Sequence, residues 1–110
     1  MLLRQLPAPE AHARLTGEAP PLLLDVREPW EAQTARIRVP GEQRLIPMGQ
    51  LPARLDELDP AQSVVVYCHH GMRSLQVVAF LERQGFESVY NLAGGIEAWS
   101  VEVDPHVPRY

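Results

Sequence analysis

The sequence predicts an α/β domain built on a mainly parallel sheet. Short apolar runs of strand length recur along the chain at Leu22-Leu23-Leu24-Asp25-Val26, Ser63-Val64-Val65-Val66-Tyr67 and Val89-Tyr90-Asn91-Leu92. Segments with helical spacing separate them, and Pro or Gly marks most of the seams. Strands alternating with helices call for parallel pairing through crossovers. A parallel sheet covered on both faces needs continuous apolar strands of this kind. In such sheets ligands bind beyond the carboxyl ends of the strands, which directs attention to the segment after Tyr67.

The elements follow in order. Leu2 to Leu6 reads as a short edge strand, and Pro7 to Leu15 as a helix with proline in its first turn. Gly17 stops it. Pro20-Pro21 leads into the strand at Leu22, and Glu28 to Ala35 holds a turn or two of helix. Pro40-Gly41 signals a turn, and Leu45-Ile46 a short strand. Leu51, Leu55 and Leu58 share one face of a helix over Pro52 to Leu58. The β-branched run Ser63 to Tyr67 is the best strand former in the chain, and it ends at Cys68. Arg73 to Gln84 is helical, with Val77, Val78, Phe80 and Leu81 on its apolar side and Gly85 at its end. A last helix opens at Gly94-Gly95 and runs past Trp99 to about Val103. Residues 1–103 thus form a single domain, and Asp104 to Tyr110, with its two prolines, is expected as an irregular tail over the surface.

Bulk properties exclude several classes. The 110 residues suit one domain with its own core. A single cysteine makes no internal disulfide, so the chain does not read as a secreted disulfide scaffold. Net charge is -4, and the ten basic residues, all arginine, are scattered from Arg4 to Arg109. Without a basic stripe, no nucleic-acid partner is expected. Arg4 and Pro7 interrupt the apolar start, so it does not read as a signal peptide. No apolar run approaches the roughly 20 residues that span a bilayer. A cytoplasmic protein without a membrane partner is expected. No cofactor is expected either, since the chain has neither a dinucleotide fingerprint nor a Walker loop. Nor is a metal. Adjacent side chains such as His69 and His70 usually diverge in a tight loop, and His12 and His106 do not complete the four ligands of a zinc site.

The chemistry concentrates in Cys68-His69-His70-Gly71-Met72-Arg73-Ser74. A short loop between a buried strand and a helix turns backbone N–H groups inward and forms a nest for an anion. The helix adds the positive end of its dipole. Gly71 permits a backbone angle that a Cβ resists, and Arg73 brings a permanent charge on a forked donor. A cysteine at the base of such a cradle favours its thiolate form and acts as a nucleophile. The same residue in an undistinguished position would be a small buried hydrophobe. The strand end and the Gly- and Arg-containing loop favour the reactive reading.

These residues resemble the active-site loop of the rhodanese family: Cys, two variable residues, Gly, one variable residue, Arg, then Ser or Ala. Leu24-Asp25-Val26-Arg27-Glu28-Pro29-Trp30-Glu31 is similar to the family's Asp-Val-Arg-Glu-Pro signature, and Ile46-Pro47 to its Ile-Pro. Asn91 to Trp99 resembles its Gly-Gly-Ile-x-x-Trp motif. The motifs run in order from about Leu22 to Trp99. The resemblance implies a three-layer rhodanese-like α/β domain, with a five-stranded sheet in the order 1-5-4-2-3 flanked by helices.

The resemblance also implies a mechanism. Cys68 takes a sulfane sulfur from a small donor such as thiosulfate, or from a persulfide, and passes it to a thiol or protein acceptor. His69, His70, Gly71, Met72 and Arg73 form the substrate-binding loop, with Arg73 holding the loop and favouring an anionic substrate. Asp25, Arg27 and Ser74 support that loop from below. Gly94 and Gly95 allow the last helix to approach the sheet closely, and Trp30 and Trp99 are expected as core or pocket-wall aromatics.

Ala35 to Glu42 departs from the family's Gly-His-Ile-Pro-Gly-Ala stretch: the His is absent and the segment is longer. Two alternatives accompany the sulfurtransferase reading. A cysteine phosphatase places Arg six positions after Cys, where this chain has Ser74, so the smaller cradle here favours a sulfur substituent over phosphate, and a phosphate-ester assay discriminates the two. A non-catalytic, relay or sensor module on the same fold is the other, because fold alone does not fix function.

Overall fold

The computed structural model describes residues 4–110. Five strands, β1 (Gln5–Leu6), β2 (Leu22–Asp25), β3 (Gln43–Leu45), β4 (Val64–Tyr67) and β5 (Val89–Leu92), form one parallel sheet in the order β1-β5-β4-β2-β3. Four α-helices connect and cover it: α1 (Ala8–Leu15), α2 (Pro29–Thr34), α3 (Met72–Arg83) and α4 (Gly95–Glu102). Two 3₁₀ segments, Met48–Gln50 and Pro52–Glu57, lead from β3 toward β4. The expected α/β class and strand order are both present.

Strand side chains alternate between the two faces. Leu22, Leu24, Val64 and Val66 pack with Val77, Val78 and Leu81 of α3. Leu23, Val65, Tyr67 and Leu92 pack with Ala8, Ala11 and Leu15 of α1 and with Ile96 and Trp99 of α4. All four residues of β2 and all four of β4 are buried, and each large aliphatic among them contributes roughly 1.5–3 kcal/mol on burial. In the sheet register Asp25 lies beside Tyr67, and Val66 beside Asn91. The carboxyl ends of β2, β4 and β5 therefore lie level, with Cys68 one residue beyond β4.

Three elements differ from the sequence expectation. Pro52–Glu57 winds as 3₁₀ rather than α-helix, with a break at Arg54 (φ -113°, ψ 16°). So short a segment does not repay α-helix nucleation, and i→i+3 bonds suit it better. The third strand is Gln43–Leu45 rather than Leu45-Ile46, although the Ile46 N–H still donates to the Asp25 carbonyl at 2.9 Å. The edge strand is limited to Gln5–Leu6; Leu2 and Leu3 lie outside the described residues.

Trp99 is buried as expected. Trp30 is not a core residue: it is 62% exposed on α2. The short amphipathic turn of that helix buries Glu31 instead. Residues 104–110 lack regular structure but are tied down. Val107 is buried, and Ser100 Oγ donates to its carbonyl at 2.9 Å. Among the described residues no helix is long and apolar enough to cross a membrane.

Candidate active site

Cys68 is 1% exposed, and its sulfur sits at the centre of a small cradle. The Gly71 N–H donates to Sγ at 3.2 Å and the Ser74 N–H at 3.4 Å; Ser74 Oγ lies 3.3 Å away. The α3 helix begins at the same point, with Gly71 as its N-cap. Ser74 therefore touches the sulfur itself, more than the supporting position expected of it.

Two other elements fix the loop, β5 through the Asn91 side chain and α4 through its backbone. Gly71 has φ +100°, a left-handed conformation that disfavours a side chain. Its carbonyl accepts from Asn91 Nδ2 at 3.2 Å, and the same amide reaches Gln5 Oε1 at 2.8 Å. The start of α4 grips the other side: Ile96 N–H donates to the Cys68 carbonyl at 3.0 Å and Glu97 N–H to the His69 carbonyl at 3.1 Å. Both carbonyls are thereby committed to α4. A Cβ on Gly95 would fall 2.4 Å from the His69 oxygen and 2.5 Å from the Cys68 oxygen. The close approach expected at Gly94-Gly95 is thus made to the cysteine loop.

Behind the cradle lies a chain of charged side chains. Asp25 and Arg27 form a buried bidentate pair, Nη2–Oδ2 2.7 Å and Nε–Oδ1 2.9 Å, and Arg27 Nη2 also reaches Tyr67 Oη at 3.4 Å. Arg73 forms a second bidentate pair with Glu31, at 2.7 and 2.9 Å. Arg73 is expected to hold the loop and to favour an anionic substrate; in the structure its fork engages the Glu31 carboxylate. Arg73 holds the Glu31 carboxyl down to about 2, with help from the Tyr110 hydroxyl and the Glu28 N–H against the opposing effect of burial. Tyr110 Oη joins the two pairs: it accepts from Arg27 Nη1 at 2.9 Å and donates to Glu31 Oε2 at 2.7 Å.

The histidines correct a second expectation. Instead of diverging, the His69 and His70 rings stack, with centroids 3.9 Å apart and planes 20° from parallel. The Tyr110 ring stacks on His69, also at 3.9 Å and at 9°. This further aromatic layer accounts for the arrangement, since it packs His69 against a flat apolar surface. Burial, with the neighbouring His70, holds the His69 imidazole below the usual histidine range. Met72 points outward and is 70% exposed. Among the described residues no group of three or more His, Cys, Asp or Glu is placed to hold a metal.

Of the residues named from sequence, Cys68, Gly71 and Ser74 meet at the sulfur. Arg73 stands beside it, and Asp25 and Arg27 are connected to it through Tyr110 and Glu31. Sequence reasoning gave no role to Glu31, Tyr67, Asn91 or Tyr110. For Glu31 a signal existed: it lies three residues after Glu28, and its carboxylate accepts the Glu28 N–H at 3.1 Å, a capping-box spacing. For Tyr110 the sequence carried none.

A buried cysteine in an N–H-lined loop, at the carboxyl end of a central strand, stands where parallel α/β sheets bind their ligands. The chain belongs to the Rhodanese-like domain family, whose match covers residues 8–102. It is 36% identical over 99 residues to a protein named Sulfurtransferase from Allochromatium vinosum, covering 90% of each chain. It is 44% identical over 92 residues to Rhodanese-like/PpiC domain-containing protein 12, chloroplastic, of Arabidopsis thaliana, and there it spans only 30% of the relative's length. Among solved structures, a Rhodanese-like Domain Protein from Staphylococcus aureus superposes with a TM-score of 0.81 at 28% identity, covering 98% of this chain and 99% of that one.

Proposed function

We propose that this protein is a sulfurtransferase that moves a sulfane sulfur from thiosulfate or a persulfide donor to a thiophilic acceptor by way of Cys68. The observation that carries this reading is the set of polar contacts on Cys68 Sγ: two donating backbone N–H groups and the Ser74 hydroxyl within 3.4 Å. Such a cradle supports a thiolate in the resting state and an anionic sulfur after loading. The sulfurtransferase names among the relatives point the same way.

The reaction runs in two displacements. The Cys68 thiolate attacks the outer sulfur of thiosulfate; a sulfur–sulfur bond forms to Cys68, the original one breaks, and sulfite departs with the electron pair. The outer sulfur of the resulting persulfide is then attacked by the acceptor, a thiolate or, in an assay, cyanide. The new bond to the acceptor takes that sulfur, and Cys68 leaves as thiolate, as it began. The loop from His69 to Arg73 forms the substrate cradle, while Asp25, Arg27 and Glu31 hold it from behind. Arg73 acts here as a strut on Glu31.

Steady-state kinetics with thiosulfate and cyanide tests the proposal. Parallel double-reciprocal lines are expected for a covalent relay, with turnover lost in Cys68→Ser. Intersecting lines, or turnover that survives the substitution, would rule out a Cys68 relay. Absence of turnover with thiosulfate and with glutathione persulfide would favour a binding module.

A further inference from the structure

Tyr110 lies at the far end of a segment that the sequence leaves as surface tail, yet its side chain meets three parts of the site at once. Its hydroxyl is the link between the buried Asp25–Arg27 pair and the half-buried Glu31–Arg73 pair, accepting from Arg27 and donating to Glu31. Its ring lies flat on His69, the residue next to Cys68. Its edge side meets Trp30 of α2, with centroids 6.3 Å apart and planes at 82°. The segment that carries it is anchored independently, by buried Val107, by the Ser100–Val107 hydrogen bond and by an Arg109–Glu97 ion pair.

We infer that Tyr110 is a positioning residue for sulfur transfer, which clamps the Cys68 loop through its hydroxyl bridge and forms one wall of the donor's approach with its ring. The inference rests on the sulfurtransferase reading. The hydroxyl and the ring have separable tasks. Without the hydroxyl, Glu31 Oε2 keeps Arg73 as its side-chain partner and Arg27 Nη1 keeps only a 3.4 Å contact to the Glu31 carbonyl. The strut behind Arg73 then loosens, and Arg73 lies in the loop that holds the sulfur. Without the ring, His69 loses the surface that orders its imidazole, and the His70–His69–Tyr110 stack loses its inner layer. Burial and the Glu31 acceptor push the Tyr110 hydroxyl up to about 12, against Arg27, so it remains a proton donor throughout the neutral range.

The test compares Tyr110→Phe, which keeps the ring, with Tyr110→Leu, which keeps neither, in the full chain with thiosulfate and cyanide. Tyr110→Phe is expected to lower kcat about fivefold, the scale of one ordinary hydrogen bond, with KM for thiosulfate unchanged. Tyr110→Leu is expected to lower kcat similarly and also to raise KM severalfold. It should also shift the His69 ring protons in the NMR spectrum downfield as ring-current shielding by Tyr110 is lost. Leu15→Val, in the core under α1, lowers the melting temperature without touching the loop, and its kcat and KM should stay at the wild-type values. Wild-type kinetics in Tyr110→Phe, or a Leu15→Val protein that loses kcat as Tyr110→Phe does, would overturn the inference and leave the sulfurtransferase reading intact. Failure of the wild-type protein itself to transfer sulfur would overturn both.

Discussion

The cradle around Cys68 and the polar network behind it are built from different materials. In the cradle, backbone does the work. Gly71 and Ser74 N–H groups face the sulfur, and the carbonyls of Cys68 and His69 are held by N–H groups of α4. In the network, side chains do the work: Asp25, Arg27, Tyr110, Glu31 and Arg73 follow one another through bonds of 2.7–2.9 Å. A backbone cradle depends on which residues lack a Cβ and where a helix begins. A side-chain network depends on which distant segments the fold brings together. Damage to the first should therefore appear mainly as lost chemistry, and damage to the ion pairs of the second mainly as lost stability, with the Tyr110 link between them as the point where the network reaches the chemistry.

Substitutions can break that division or sharpen it. The largest effect is expected for Gly95→Ala. The new Cβ would overlap two backbone oxygens of the loop, at a φ of +62°. Backbone cannot yield as a flexible side chain can, so activity should fall more than about 100-fold, with a loss of stability on the order of 3 kcal/mol. Enzyme assay and denaturant unfolding of the same preparation measure both. Next comes Arg27→Met, which leaves the Asp25 carboxylate buried and unpaired. Breaking such a pair costs about 3–5 kcal/mol, while the folded fraction should keep activity within about tenfold of wild type. If Arg27→Met abolished activity at full stability, the proposed division of labour would fail.

Glu31→Gln tests the network through pH. The Glu31 carboxyl lies at about 2 in the folded chain against an ordinary value of 4.5. The ionised form is thus favoured by folding: its contribution is complete above pH 4.5 and is lost as pH falls through about 2. That difference corresponds to roughly 3 kcal/mol. Unfolding free energies measured between pH 5 and 2 should fall steeply for the wild type and less steeply for Glu31→Gln. Curves of equal slope would show that Glu31 is not the group that titrates. The smallest effect is expected for Ser74→Ala, which removes one of three donors at the sulfur and keeps both N–H groups. A three- to tenfold loss in kcat/KM is expected, with stability within about 1 kcal/mol of wild type.

The same division explains what the sequence disclosed. The sheet was legible because its strands are buried on both faces and read as unbroken apolar runs, as at Leu22 to Asp25 and Val64 to Tyr67. The cradle was legible because its determinants are local: a cysteine at a strand end, Gly71 three residues on, and a glycine pair opening the last helix. For Arg73 the loop-holding role was legible but its partner was not, since Glu31 lies 42 residues away and no local pattern joins them. Trp30 is expected as a core or pocket-wall aromatic, but α2 turns its buried face through Glu31, and the indole is left out of the core. Tyr110 was hidden for the same reason as Glu31. Its partners lie 79 and 83 residues earlier, and only the folded chain brings them within hydrogen-bonding distance.

The most direct test of the central claim is the intact mass of the protein after incubation with thiosulfate, with Cys68→Ser alongside. The account predicts a gain of about 32 Da, one sulfur atom, that disappears on adding cyanide and never forms in Cys68→Ser. An unchanged mass after thiosulfate and after glutathione persulfide, or an equal gain in Cys68→Ser, would contradict it.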